Sequence, residues 1–383
     1  MEYNADQQYA DDILVSELDH IRQLVKSDTG PDDVRHLRKI QRWGLISGIA
    51  GLATAWIIPN LLTAFLINVY RFTAWTMMAH HILHKGYDQV PNVPTRFSSK
   101  RFASGWRRWI DWPDWIWPAA WKHEHNVMHH YHLSEHADPD LVELNLHWLR
   151  EKKWPVMIKY IFIFFMAGMW KYIYYAPNTM RTWFEKNHPE RKIPSYGSFA
   201  FWQPFSFTGR RLWLKCFLPY TFINFVLIPA PFLFISGRAA LFVFLNMVLA
   251  EWLTNFHTFL VIVTNHAGDD LPRFDSGMKS KGDFYRRQIS GSVNYRTGSD
   301  FNDFMHGFLN YQIEHHLWPD MTMLQYKKAH PLVKAVAMKY GIPYVQQSVW
   351  TRLRKTVSIM VGRSRMQLYP VCPPAALSRR DLR

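Results

Sequence analysis

The chain has 383 residues, of which 20% are charged and 16% aromatic, and a formal net charge of +15. Its two cysteines, Cys216 and Cys372, form no CxxC pair, which argues against a disulfide framework, a thiolate zinc site and an iron–sulfur cluster. The basic excess suits either nucleic acid or a membrane protein with a Lys/Arg-rich cytosolic surface, and long apolar runs favour the membrane.

Residues 1–42 are polar, divided at Gly30-Pro31, and are expected to form a cytosolic arm. No basic start leads into an apolar core, so no secretory signal is expected. From Trp43 to Tyr70 there is no charged residue, a run of 28 that is too long for one span of about 20 residues. Pro59-Asn60 marks a turn and divides it into spans over about 43–58 and 60–79, the second carrying Arg71 and ending at His80. Residues 85–153 are polar and punctuated by Trp, Pro and His. Segment 154–176 is apolar but holds Lys159 and Lys171, and is expected to lie in the interface with its apolar face down. Were it to cross, the histidines that follow the last span would face the opposite side from those before it. Further spans are expected over about 212–235 and 239–264, joined by Ser236-Gly237-Arg238.

Residues 265–383 are polar and helical by pattern, with a basic C-terminal tail from 346 after a membrane domain over 43–345. Residues 279–383 carry 17 Lys and Arg against 6 Asp and Glu, which places both termini and the long loops in the cytosol. The expected fold is an all-α integral membrane protein: four transmembrane helices in two hairpins under a cytosolic helical cap.

Thirteen of the nineteen histidines fall in four places. His80, His81 and His84 end the second span, and His80 and His84 at i,i+4 share one helix face. His123, His125, His129, His130, His132 and His136 lie in HEHNVMHHYHLSEH. His266 follows the last span, and His306 precedes the cluster QIEHH with His315 and His316. Imidazole suits iron, zinc, copper or nickel. A catalytic zinc uses three protein ligands and a haem one or two axial histidines, so eight well-placed histidines suit two ions better than one. His81, His123, His132, His136 and His306 are expected beside the metals or on the surface. His20, His36, His147, His188, His257 and His330 lie outside the boxes and are expected to be structural.

The boxes HHILH, HNVMHH and QIEHH resemble those of the membrane fatty-acid desaturase superfamily over about 40–340. The stretches FNDFMHGFLNYQIEHHLWPDM and HPLVKAVAMKYGI are most similar to front-end and related acyl-lipid desaturases. The resemblance implies two iron ions held by His80, His84, His125, His129, His130, His266, His315 and His316. It also implies a hydrophobic tunnel below them and oxygen-dependent insertion of a double bond into a long acyl lipid or acyl thioester. Gln312 stands where some relatives have a ninth histidine. Gln312, Asn265, Asp138 and Glu314, with Asn126, Asp140 and Asn310, are candidates to orient the ligands. Residues 1–42 hold no HPGG and too little chain for a fused cytochrome b5, which implies a separate donor of ferredoxin or cytochrome b5 type. Such a donor, if acidic, would be steered by the basic excess after residue 279. The expected location is a bacterial inner membrane or the endoplasmic reticulum, with membrane lipids as partners and no nucleic acid. A membrane hydroxylase or carotenoid-type oxygenase would use similar boxes. A histidine-rich metal transporter would place ionisable residues within several spans, and a catalytically dead lipid-binding relative would keep the fold.

Overall fold

A computed structural model describes residues 5–369, and these are mostly helical. The helix Pro31–Thr54 and the following Leu61–Phe72 form a tight hairpin. Asn60 caps the second helix by accepting the Thr63 N–H, and its own N–H donates to Asn246 Oδ1 at 2.9 Å. Gly44, Gly48 and Gly51 make a flat stripe on the first helix. A Cβ at each would come within 2.7–2.8 Å of Thr73, Tyr70 and Ile67, so the helices meet with almost no gap. The hairpin packs on the long helix Gly237–Ile262 through Ala55, Ala64, Ile67, Val243, Met247 and Ala250.

Two helical stretches are long and apolar enough to cross a membrane, Phe207–Phe234 and Gly237–Asn265. A third qualifies if Val156–Ala167 and Lys171–Asn187, which meet at 80°, count as one span. The first hairpin does not meet that measure of length and apolarity. It nevertheless leaves Ile46, Ile49, Ile57, Ile58, Leu61 and Leu62 more than half exposed, an apolar belt of the kind lipid covers. Its first helix starts at Pro31 rather than near 43, because Val34, Leu37 and Ile40 continue the buried face into the polar region.

The segment expected as one interfacial helix over 154–176 is broken. Trp170 Nε1 donates to Asn255 O at 2.9 Å and the Lys171 N–H to Asn255 Oδ1 at 3.1 Å, which turns the chain inward. Neither lysine reaches for headgroups. Lys171 is fully buried and paired with Asp114 at 2.8 Å, with Glu251 at 3.8 Å. Lys159 is also buried and donates to Arg150 O at 2.8 Å. Met157, Ile158, Ile161, Phe164 and Phe165 take the outer surface instead. Buried cations persist where partners replace their water, and both lysines have found such partners.

Four short strands were not foreseen. Pro272–Arg273 pairs in parallel with Gln367–Leu368, and Val293–Tyr295 with Val345–Gln347. Between the partners lies the helix Val349–Met360, where a basic tail was expected. Its Arg352 is fully buried and grips Asp270 at 2.7 and 2.8 Å. The amino-terminal helix Ala5–Ser27 likewise packs onto the helices Lys281–Ser290 and Met323–Lys339, burying Leu14, Leu18, Ile21 and Val25. Its acids reach their basic residues: Asp11 pairs with Arg286, Asp19 with Lys281 and Glu17 with Lys339.

Candidate metal centre

Each histidine box sits where the backbone departs from a regular α-helix. The helix Leu61–Phe72 passes into a π-helical turn, Thr73–Ala79, immediately before His80–Leu83. A second π-helical turn, Glu124–His129, carries the HNVMHH box. Such turns are uncommon and cluster at functional sites. Here the His130 N–H donates to His125 O, five residues back, and the two rings meet edge to face at 4.9 Å. The third box lies on the short helix Gln312–Leu317, after two successive left-handed residues, Gly307 (φ 65°) and Phe308 (φ 58°). A Cβ at Gly307 would meet Thr76 Oγ1 at 2.8 Å, so only glycine lets this segment close on the first π-helical turn.

The result is two adjacent groups of imidazoles. His80, His84, His125, His130 and His315 form one, and His129, His266 and His316 the other, with potential ligand atoms within 4.8 Å of one another in each. All eight are buried. Successive residues on a helix point about 100° apart. The pairs His129-His130 and His315-His316 are therefore split, one ring to each group, while His80 and His84 at i,i+4 share one.

Burial pushes His80, His84, His125, His130, His266, His315 and His316 well below the ordinary histidine pKa, with neighbouring imidazoles adding to the effect. They are neutral, the form that binds metal. His129 differs: burial acts to lower it, but the Asp138 carboxylate raises it above the ordinary value. The Nε2 atoms of His84, His130, His315 and His316 are buried without a hydrogen-bond partner. Leaving so many polar nitrogens unpaired is costly. As borderline donors converging on two points, they fit two metal ions.

Neighbours fix the ring orientations. His129 Nδ1 is bonded to Asp138 Oδ1 at 2.9 Å, and Asp138 is held by the N–H groups of Ser134 and Asp140. His316 Nδ1 meets Gln288 Oε1 at 3.0 Å, and Gln288 Nε2 donates to His130 O. His315 Nδ1 lies 3.1 Å from the Tyr326 hydroxyl. Gln312 Nε2 lies 2.9 Å from His266 Nε2. Asn265 ties the same corner by donating to Val261 O and Leu309 O, and Asn126 donates to Leu83 O. Glu314 faces away from the imidazoles, accepting from Tyr344 and Asn294. Asn310 donates to Asp303. Asp140 approaches His125 and His129 and accepts from the Tyr174 hydroxyl at 2.9 Å. Gln288 and Tyr326 had no sequence signal, since their meeting with the third box depends wholly on tertiary folding.

Among the described residues no other histidine joins either group. His81 is buried against the rings of His315 and Tyr326, and His36 meets Phe308 edge-on. His257 stacks on Phe72 and bonds Met305 O, while His330 bonds Tyr344. His132 pairs with Glu135, and His306 bonds Asn302 O.

A cavity of about 190 Å³ opens beside the imidazoles. His80, His125, His129 and His266 form its polar end, and Trp170, Ile173, Phe259, Ile262, Phe162 and Met166 are among its apolar lining residues. An apolar chamber ending at nitrogen donors suits a long hydrocarbon presented to a metal.

A model of the Fatty acid desaturase family matches residues 54–348. The chain is 24% identical over 367 residues to an NADPH-dependent stearoyl-CoA 9-desaturase of Mycobacterium tuberculosis (strain CDC 1551 / Oshkosh), covering 90% of this chain and 77% of that protein. It is 32% identical over 142 residues to fatty acid desaturase 3 of Bos taurus, which covers 37% of this chain and 29% of that one. Against fatty acid desaturase 3 of Homo sapiens the identity is 28% over 142 residues, with 37% and 28% covered.

Proposed function

The chain belongs to the fatty acid desaturase family, and from that premise we infer that it is a membrane-bound, oxygen-dependent desaturase of a long fatty-acyl chain with two iron ions. His80, His84, His125, His130 and His315 would hold one ion, and His129, His266 and His316 the other. Gln312, whose amide nitrogen lies beside His266, would orient that ring in the smaller set. When bound, the iron supplies oxygen activation and hydrogen abstraction from an unactivated methylene pair. For each double bond, O2, two electrons and two protons convert –CH2–CH2– to –CH=CH– and release two waters.

The protein's part is position and exclusion. Asp138, Gln288 and Tyr326 lock His129, His316 and His315 through their Nδ1 atoms, so each Nε2 faces inward. The apolar walls from Trp170 to Phe259 would hold the acyl chain against the histidine end and keep water from the reacting carbons. In this reading four helices cross the bilayer as two hairpins, 154–176 does not cross, and the histidines face the cytosol. Electrons come from a separate carrier of ferredoxin or cytochrome b5 type. The mycobacterial relative's NADPH dependence is compatible with such a chain of carriers.

The observation that carries the reading is the pairing of eight buried imidazoles in two groups with an apolar cavity that ends on four of them. The test is mass spectrometry, with double-bond location, of lipids from cells with and without the protein. A new alkene is expected. A hydroxylated or keto product without an alkene would replace desaturation by oxygen insertion.

A further inference from the structure

Much of the basic excess after residue 279 is already paired within the chain, although Lys279, Arg296, Lys334, Arg354, Arg363 and Arg365 stay exposed. Lys281, Arg286 and Lys339 are neutralised by the amino-terminal helix and Lys328 by Asp28. Arg287 pairs with Glu135, Lys327 with Asp300 and Asp303, and Arg352 and Lys355 with Asp270. A second basic group lies between the first two histidine boxes and is not used in this way. Lys85, Arg96, Lys100 and Arg101 are exposed and Lys122 is half-buried. Among the described residues none of these five makes an ion pair. The nearby carboxylate, Asp88, spends its two oxygens on Ser99, at 2.7 Å from the N–H and 2.6 Å from the hydroxyl. Lys122 Nζ donates to Ser99 O at 3.3 Å, which brings Lys122 against the segment that carries Arg96, Lys100 and Arg101.

That patch adjoins the metal ligands. Lys85 directly follows His84, and Lys122 follows Trp121, whose ring packs on His80, His84 and His125 at 5.7, 5.7 and 4.7 Å. Asn126 Nδ2 donates to Leu83 O at 3.0 Å, joining the two boxes beneath the patch. Val127, inside the second box, is 45% exposed, so only one helix separates solvent from the imidazoles there. His84 does not line the acyl cavity, which makes this a route to the metals that a bound substrate leaves open.

We propose that Lys85, Arg96, Lys100, Arg101 and Lys122 form the docking surface for a small acidic one-electron carrier protein, which delivers its electrons beside His84 and Trp121. The proposal rests on the desaturase reading, whose stoichiometry requires two electrons from outside, arriving one at a time. Cations in excess of the one nearby carboxylate, around an exposed apolar residue, steer an acidic partner and fix its register. Electron transfer weakens steeply with distance, and this is a surface at which the chain next to a ligand reaches solvent.

The test uses the purified, iron-loaded full chain with a reduced acidic [2Fe–2S] ferredoxin as probe. Ferredoxin reoxidation in the presence of substrate and O2 is followed across ionic strength. The variant Arg96→Glu/Lys100→Glu/Arg101→Glu is expected to raise the KM for ferredoxin at least tenfold at low salt and to flatten the salt dependence. Alkene formed in a single turnover, when O2 is admitted after reduction by dithionite under argon and removal of the excess, is expected to stay at the wild-type level. The control Lys334→Glu/Arg354→Glu, exposed cations on the carboxy-terminal face, is expected to leave the KM unchanged. An unchanged KM in the triple variant, or an equal rise in the control, overturns the proposal. So does a triple variant that loses only binding to anionic vesicles, which would make the patch a lipid contact. Failure of the pre-reduced wild-type protein to form alkene on admission of O2 would sink the desaturase reading instead. Carbodiimide cross-linking of ferredoxin carboxylates tests docking without turnover. Adducts at Lys85, Lys100 or Lys122 support it, and adducts confined elsewhere or none at all overturn it.

Discussion

His129 and Asp138 are joined by a 2.9 Å hydrogen bond in which both side chains are almost wholly buried. The carboxylate fixes the ring so that Nε2 points into the smaller imidazole group. Asp138→Asn keeps the shape and removes the charge. It is expected to lower iron affinity by about 10–100-fold, with the smaller group emptied first. Iron titration of the purified variant, with circular dichroism to establish folding, checks this. Wild-type affinity in a folded variant would remove Asp138 from the site.

His266→Ala and His257→Ala are expected to part company. His266 lies in the smaller group, and its loss should abolish bound iron there and with it the activity. His257, nine residues earlier, stacks on Phe72 and bonds Met305 O at 2.8 Å. Its loss should cost stability, about 1–3 kcal/mol for a buried partner left unpaired, while iron content stays intact. Full iron in folded His266→Ala protein would show that the assignment is mistaken.

Lys171→Met removes the cation that faces Asp114 and Glu251 in a dry environment. Breaking a buried pair by deleting one partner costs about 3–5 kcal/mol. Chemical unfolding in detergent should register a loss of that order. A loss below about 1 kcal/mol, the range of exposed pairs, would mean that water reaches the pair.

Gly48→Leu forces a side chain against Tyr70, where even a Cβ comes within 2.8 Å. Overpacking of a close contact costs about 1–3 kcal/mol, and the hairpin should splay. Thermal unfolding of this variant beside one at exposed Gly237, which has nothing within 4 Å of a Cβ, separates crowding from loss of glycine itself.

Single cysteines introduced at positions 180–205 are expected to react only from the side that carries the histidine boxes. Labelling from the opposite side would make the bent pair Val156–Ala167 and Lys171–Asn187 a crossing and would change the count of spans.

The histidine boxes were legible because their logic is local. His80 and His84 share a face by helix periodicity alone, and adjacent pairs such as His315-His316 must diverge. The single His266 was reached only through family resemblance, since no neighbouring residue in sequence marks it. Gln288 and Tyr326 were invisible, because each meets the third box across a separate helix. The lysines of 154–176 misled for a related reason. Sequence shows a charge in an apolar run, which suggests water or headgroups, whereas Asp114 and Glu251 supply its partners from 57 and 80 positions away. The basic excess after residue 279 is plain from a charge count, which cannot show that acids of the amino-terminal helix already sit on part of it.

The splitting of His129-His130 and His315-His316 between the two imidazole groups has a bearing on how such a chain can change over evolutionary time. Each doublet ties the groups together through one peptide unit, whose span of about 3.8 Å between α-carbons is fixed by covalent geometry. The gap between the groups is thus a property of the main chain, held twice, and distant side-chain substitutions have little purchase on it. Length changes behave differently by location. Insertions at the exposed turn Pro91–Asn92 lengthen a loop and leave both doublets intact, so a change of length there is cheap. A single residue inserted within 125–130 or 312–316 rotates one ring out of its group and separates the pair it belonged to. Diversity among related chains should therefore collect between the boxes, leaving the doublets as the most length-invariant marks in the sequence.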